Sequence, residues 1–140
     1  MATYTLTSAN IAPGAVGKVV VAGAAIAAGQ WVYLDAGDSN KAKLADNTTE
    51  AKATVYGMAI DSAVAAGQPL HVMTSGAITV GAATFSKTGQ LLVISPTAGK
   101  MMDVDDLPGG GEFPTVVGWS TSATAMMIAI QETDTAFAAV

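Results

Sequence analysis

The chain has 140 residues, 51% of them hydrophobic and only 12% charged, with a net charge of −5. That is the length of one domain with about half the usual charged share, which excludes a disordered polar chain and points to a surface partly covered by other protein. All six cations are lysines and there is no cysteine, so an Arg/Lys footing for nucleic acid, an arginine fork for phosphate, disulfides and thiolate metal sites are all excluded.

Residues 1–17 carry Thr, Ser, Asn and Pro13, with Tyr4 and Leu6 alternating with Thr3 and Thr5. This reads as an extended N-terminal arm able to add as a strand to another surface. Residues 18–140 read as a single β domain. Its most apolar stretch, Val19 to Ala28, contains Gly23 and is half of the roughly 20 residues that a membrane-spanning helix needs. No basic leader precedes it, so the expectation is a protein made in the cytoplasm, with no membrane partner.

Short apolar runs then follow in order: Val19–Val21, Trp31–Leu34, Ala53–Ala59, Leu70–Met73, Ala77–Val80, Leu91–Ile94, Thr115–Trp119 and Ala125–Gln131. Turn signals such as Ala36-Gly37-Asp38, Ser75-Gly76 and Ala98-Gly99 separate them, as in a sandwich or barrel of short strands. Only the tail from Asp134 to Val140 offers a helix.

One unit is written twice. Gly29-Gln30 leads into Trp31-Val32-Tyr33-Leu34 and reaches Val55-Tyr56-Gly57; Gly89-Gln90 leads into Leu91-Leu92-Val93-Ile94 and reaches Val116-Val117-Gly118. The glycine-to-glycine spacings are 28 and 29 residues, and Lys41 to Asp46 in the first copy answers Lys100 to Asp105 in the second. The pseudo-repeats cover about 29–62 and 89–123. Glycine before glutamine permits a positive-φ turn, and the run after it is a buried strand. Two such units are expected to close on each other as a pseudo-symmetric barrel, joined by the third Gly-Gln at Gly67-Gln68.

Reaction chemistry is sparse. His71 is the single histidine and reads as structural or superficial. Asp103, Asp105, Asp106 and Glu112 flank Pro108-Gly109-Gly110-Gly111 as a solvated acidic turn lacking the order of a calcium loop. Trp31 and Trp119 read as core or interface anchors, with a sugar platform as the competing reading. No catalytic, metal or cofactor site and no small-molecule substrate is expected, and the chain is not expected to be an enzyme.

The strings GQWVYLDAG, KAKLAD and ATVYGMAIDSAVAAGQPLHVMTSG resemble small tailed-phage head proteins of the capsid decoration, or cement, type, over about Val19 to Gln131. The resemblance implies a β-barrel or β-tulip domain on the outer surface of a virion capsid. It implies homotrimers bound to the major capsid protein through an N-terminal arm; in this chain Thr3, Tyr4, Thr5 and Leu6 are the arm residues expected to make the contact. A trimeric fibre, spike or tail component that meets a host receptor would share the same repeats and is the alternative.

Overall fold

The structure is a computed structural model that describes Tyr4, residues 6–13, 17–81, Phe85, 88–106 and 112–131. The expected tail helix and residues 107–111 of the acidic loop lie outside the described residues. The strands are β1 (Ala12–Pro13), β2 (Lys18–Val21), β3 (Trp31–Asp35), β4 (Lys41–Leu44), β5 (Val55–Ala59), β6 (Pro69–Met73), β7 (Ser75–Thr79), β8 (Leu91–Ile94), β9 (Met101–Asp103), β10 (Val116–Ser120) and β11 (Ala125–Gln131). A short α-helix, α1 (Glu50–Ala53), replaces the start of the strand expected from Ala53, because Thr49 caps it by accepting from the Lys52 N–H. No helix among the described residues is long and apolar enough to cross a membrane.

The chain is mainly β and forms two antiparallel sheets. The first has the order β2-β6-β5-β3-β4; the second has β7-β11-β10-β8-β9, with the two-residue β1 added outside β7. Taken in chain order, both halves place their first, fifth, fourth, second and third strands side by side. The duplication therefore runs through the whole body, from β2 to β6 and again from β7 to β11.

Register makes the equivalence residue by residue. Trp31 stands opposite Met58 and Val32 opposite Gly57, after which the ladder skips Tyr56 and sets Tyr33 opposite Val55. Leu91 stands opposite Trp119 and Leu92 opposite Gly118, and the ladder skips Val117 to set Val93 opposite Val116. The same β-bulge thus sits at the same place in both halves. Each bulge needs its glycine: a Cβ on Gly57 would collide with the Met73 carbonyl oxygen, and one on Gly118 with that of Met127. The turns before β3 and β8 also match the expectation, with Gly29 at φ 95° and Gly89 at φ 77°.

Gly67-Gln68 has a different place from the one expected. Its positive-φ turn leads into β6 inside the first half, and the Ala22 N–H donates to the Gln68 carbonyl. The two halves are joined instead by Thr74, between β6 and β7.

The halves stack as a barrel-like sandwich. The first sheet curls until its outer strands touch: Ala22, just beyond β2, bridges Ala42 of β4, and the Gly23 N–H donates to the Ala42 carbonyl at 2.7 Å. Its inner face holds Ile26, Val32, Ala59, Leu70 and Val72. Its outer face, with Trp31, Met58 and Met73, packs onto the inner face of the second sheet, with Leu92, Ile94, Met126 and Ile128. Each large side chain fully buried here contributes about 1.5–3 kcal/mol. At the rim, Gly99 stitches the halves: its carbonyl accepts from Trp31 N–H and its N–H donates to Ala45.

Candidate interaction surfaces

The N-terminal segment lies along the second half. The Tyr4 N–H donates to the Met101 carbonyl at 2.9 Å, and Ala12 stands opposite Thr79 of β7. Segment 4–13 therefore reaches from β9 to β7, the two outer strands of the second sheet. In the first half the counterpart of Met101 is Ala42, which Ala22 covers. The arm supplies to the second half an edge contact that the first half makes by itself.

Side chains fix this segment. The Tyr4 hydroxyl donates to Asp103 Oδ1 at 2.7 Å, and its ring meets Phe85 edge-on at 5.2 Å. Leu6 and Ile11 pack on the core between the sheets. Of the four arm residues expected to meet a partner, Tyr4 and Leu6 are thus laid against the chain's own core, and Thr3 and Thr5 lie outside the described residues. A cavity of about 80 Å³ remains between Tyr4, Leu6, Gln30, Trp31 and Met101.

The two tryptophans, read alike in the sequence, part company. Trp31 is 0% exposed, whereas Trp119 is 41% exposed and its neighbour Leu91 39%. Leu91, Trp119, Met127 and Ala77 form one row across β8, β10, β11 and β7 on the outward face of the second sheet. A second apolar depression, of about 360 Å³, lies against Ile26, Ala63 and the exposed Val64 of the first half, and it shares Ala27 and Gln30 with the cavity beside Tyr4. Sequence reasoning missed both surfaces, since alternation marks which residues share a face but not which face another sheet will cover.

Polar clusters are small. His71 lies on β6, and its Nδ1 sits 2.6 Å from Asp61 Oδ2 while its backbone N–H donates to Asp61 Oδ1. With both side chains 45% exposed, the pair clamps the β5–β6 turn at the surface. Lys43 bonds Asp35 at 2.7 Å and Asp38 at 3.2 Å. The Lys43 ammonium, aided by the Gly37 N–H, holds the Asp35 carboxyl below its ordinary range, and the two carboxylates raise Lys43 in return. Asp103 serves Tyr4, and Glu112 is buried. Among the described residues no three of His, Asp and Glu come together as a metal-binding group.

What these features can do is hold surfaces together. Broad apolar area and backbone edges dominate, and the polar groups close turns or pin the arm. Comparison with protein-family models, curated proteins and solved structures gives no match to this chain.

Proposed function

We propose that this protein is a structural, non-catalytic component of a phage particle that binds the outer surface of the capsid and stabilises it. The observation that carries the reading is the uncharged apolar face around Trp119, left outside on a domain whose equivalent face is covered. Such a face suits an assembly subunit, because apolar area removed from water holds proteins together without directional chemistry. The low charge of the sequence and its resemblance to capsid decoration proteins point the same way.

In this reading Thr3, Tyr4, Thr5 and Leu6 take part in contact with the major capsid protein. Tyr4 and Leu6 shape that contact from beneath, by holding the segment against β9. Binding repeated over symmetry-related sites adds up, so a modest single contact suffices to brace a shell.

The test is to add the purified protein to capsids assembled without it, then sediment and image them. Saturable density at symmetry-related positions on the shell is expected. Absence of binding, or attachment confined to the tail, overturns the reading, and tail attachment favours the fibre or spike alternative. Removing residues 2–14 is expected to lower capsid occupancy.

A further inference from the structure

The outward face of the second sheet carries a consequence that the capsid reading does not contain. β7, β8, β10 and β11 hold no charged residue at all: they read SGAIT, LLVI, VVGWS and AMMIAIQ. The first sheet, in contrast, places Lys18, Asp35, Lys41 and Lys43 on its strands. An exposed sheet face normally carries charges that keep it apart from other sheets. Here that protection is missing where Leu91 and Trp119 lie open.

The repeat shows what such a row packs against. Trp31, Met58 and Met73 in the first half occupy the register positions of Leu91, Trp119 and Met127, and they are no more than 1% exposed. A sheet of this same chain covers them. In the second half the corresponding row stays open among the described residues, with Leu91 39% and Trp119 41% exposed.

We propose that the outward face of the second sheet is a self-association surface, on which two copies of the chain pair face to face. Charge favours a second copy as the occupant. Each molecule carries −5, so two copies approach with least repulsion through the face that has no charge. A charged partner surface would lose hydration against this face and gain no counter-ion.

Shape favours it as well. Along the row the side chains run Leu91, Trp119, Met127, Ala77, and from Trp119 to Ala77 they fall in size. A twofold axis parallel to the strands and passing over Met127 sets each Trp119 on the other copy's Ala77. It also sets Met127 against itself. Large then meets small on both sides, as a self-complementary contact requires. Four strands by five or six residues span about 14 Å by 20 Å. This is a small footprint for a stable complex, so the dimer is weak and concentration-dependent. The pairing gives two copies, in place of the three implied by the resemblance.

The inference concerns the isolated protein and does not rest on the capsid reading. Sedimentation velocity of the full chain over a concentration series should show a monomer–dimer equilibrium. Trp119→Lys should weaken it by on the order of 30-fold or more while leaving the far-ultraviolet circular dichroism unchanged. Because the chain has no cysteine, Met127→Cys provides a second reading: oxidation should link copies into a covalent dimer, and Val64→Cys, far from the proposed axis, should not. A chain that stays monomeric at high concentration overturns the proposal. So does a trimer, or a dimer that neither depends on Trp119 nor cross-links through position 127.

Discussion

Gly118→Ala is the sharpest test of the repeated bulge. Gly118 has φ 153°, and a Cβ there would strike the Met127 carbonyl oxygen of the adjacent strand and lie 3.0 Å from its carbon and 3.2 Å from the Met126 methyl. Backbone strain at such a φ costs about 1–3 kcal/mol. Displacing β11 to relieve the collision costs about 1–3 kcal/mol more in packing. The combined loss, about 2–6 kcal/mol, is a large part of the roughly 5–15 kcal/mol available to a domain. For a chain of this length that is a fall in Tm of roughly 7–20 °C. Gly57→Ala meets the corresponding obstacle, the Met73 carbonyl and the Val72 methyl at 2.6 Å, and should also be strongly destabilised. Gly89→Ala is the control, since its φ is 77° but nothing lies within 4 Å of a Cβ there; strain alone costs about 1–2 kcal/mol. The assay is thermal and urea unfolding followed by near-ultraviolet circular dichroism. If the two bulge variants lose no more than Gly89→Ala, the close strand approach assigned to these glycines is wrong.

Two further outcomes test the arm and the surface ion pair. Tyr4→Phe removes the hydroxyl bond to Asp103 but keeps the edge-on ring contact with Phe85, so urea unfolding should show a loss of about 1–1.5 kcal/mol. Tyr4→Ala should lose more than Tyr4→Phe, by the further 0.5–1.5 kcal/mol or so of the aromatic pair; equal effects would show that the ring is not seated. Asp35 has its carboxyl held down chiefly by Lys43, so its contribution is present above the ordinary carboxylate range and disappears as pH falls through the lower folded value. Lys43, held up by Asp35 and Asp38, contributes below its ordinary value and loses that contribution as pH rises through the higher folded one. Asp35→Asn should therefore lower Tm slightly at neutral pH, by an amount that shrinks as pH falls through the lowered folded value of Asp35, and salt should shrink the neutral-pH difference. A difference that persists at low pH would show that the ion pair is not its source.

The β class and the matched Gly-Gln turns were legible because a positive φ and a short apolar run leave marks in single residues. The full reach of the duplication was not. β2 reads KVVV where β7 reads SGAIT, and β6 reads PLHVM where β11 reads AMMIAIQ. A ladder constrains pleat and backbone, not letters, so strands can keep their topology after their sequences have parted. Gly67-Gln68 misled for the same reason: its turn chemistry is local, and it recurs wherever such a turn is built. The His71–Asp61 clamp was hidden because its partners stand ten positions apart in the chain. The difference between Trp31 and Trp119 lies deeper, because both belong to strands of the repeat and only the docking of one sheet on the other decides which is covered.

Side-chain size on the inner faces explains why the halves behave differently despite one topology. In the first half that face includes Ala22, Ala42, Ala59 and Ala63 beside Val32, Leu70 and Val72. Small residues let the sheet curl until β2 and β4 nearly meet, so its inner core is closed by its own strands. In the second half the equivalents of Val32, Ala42 and Val72 are Leu92, Met101 and Met126. Such bulk keeps the sheet open and fills the gap to the first half, whose outward Trp31, Met58 and Met73 supply the opposing layer. Once open, the second sheet has free outer strands, which segment 4–13 reaches at Met101 and Thr79. One exchange of small for large residues thus accounts for the sandwich and for the position of the arm. It also accounts for the row around Trp119, whose counterpart is covered in the one half and open in the other.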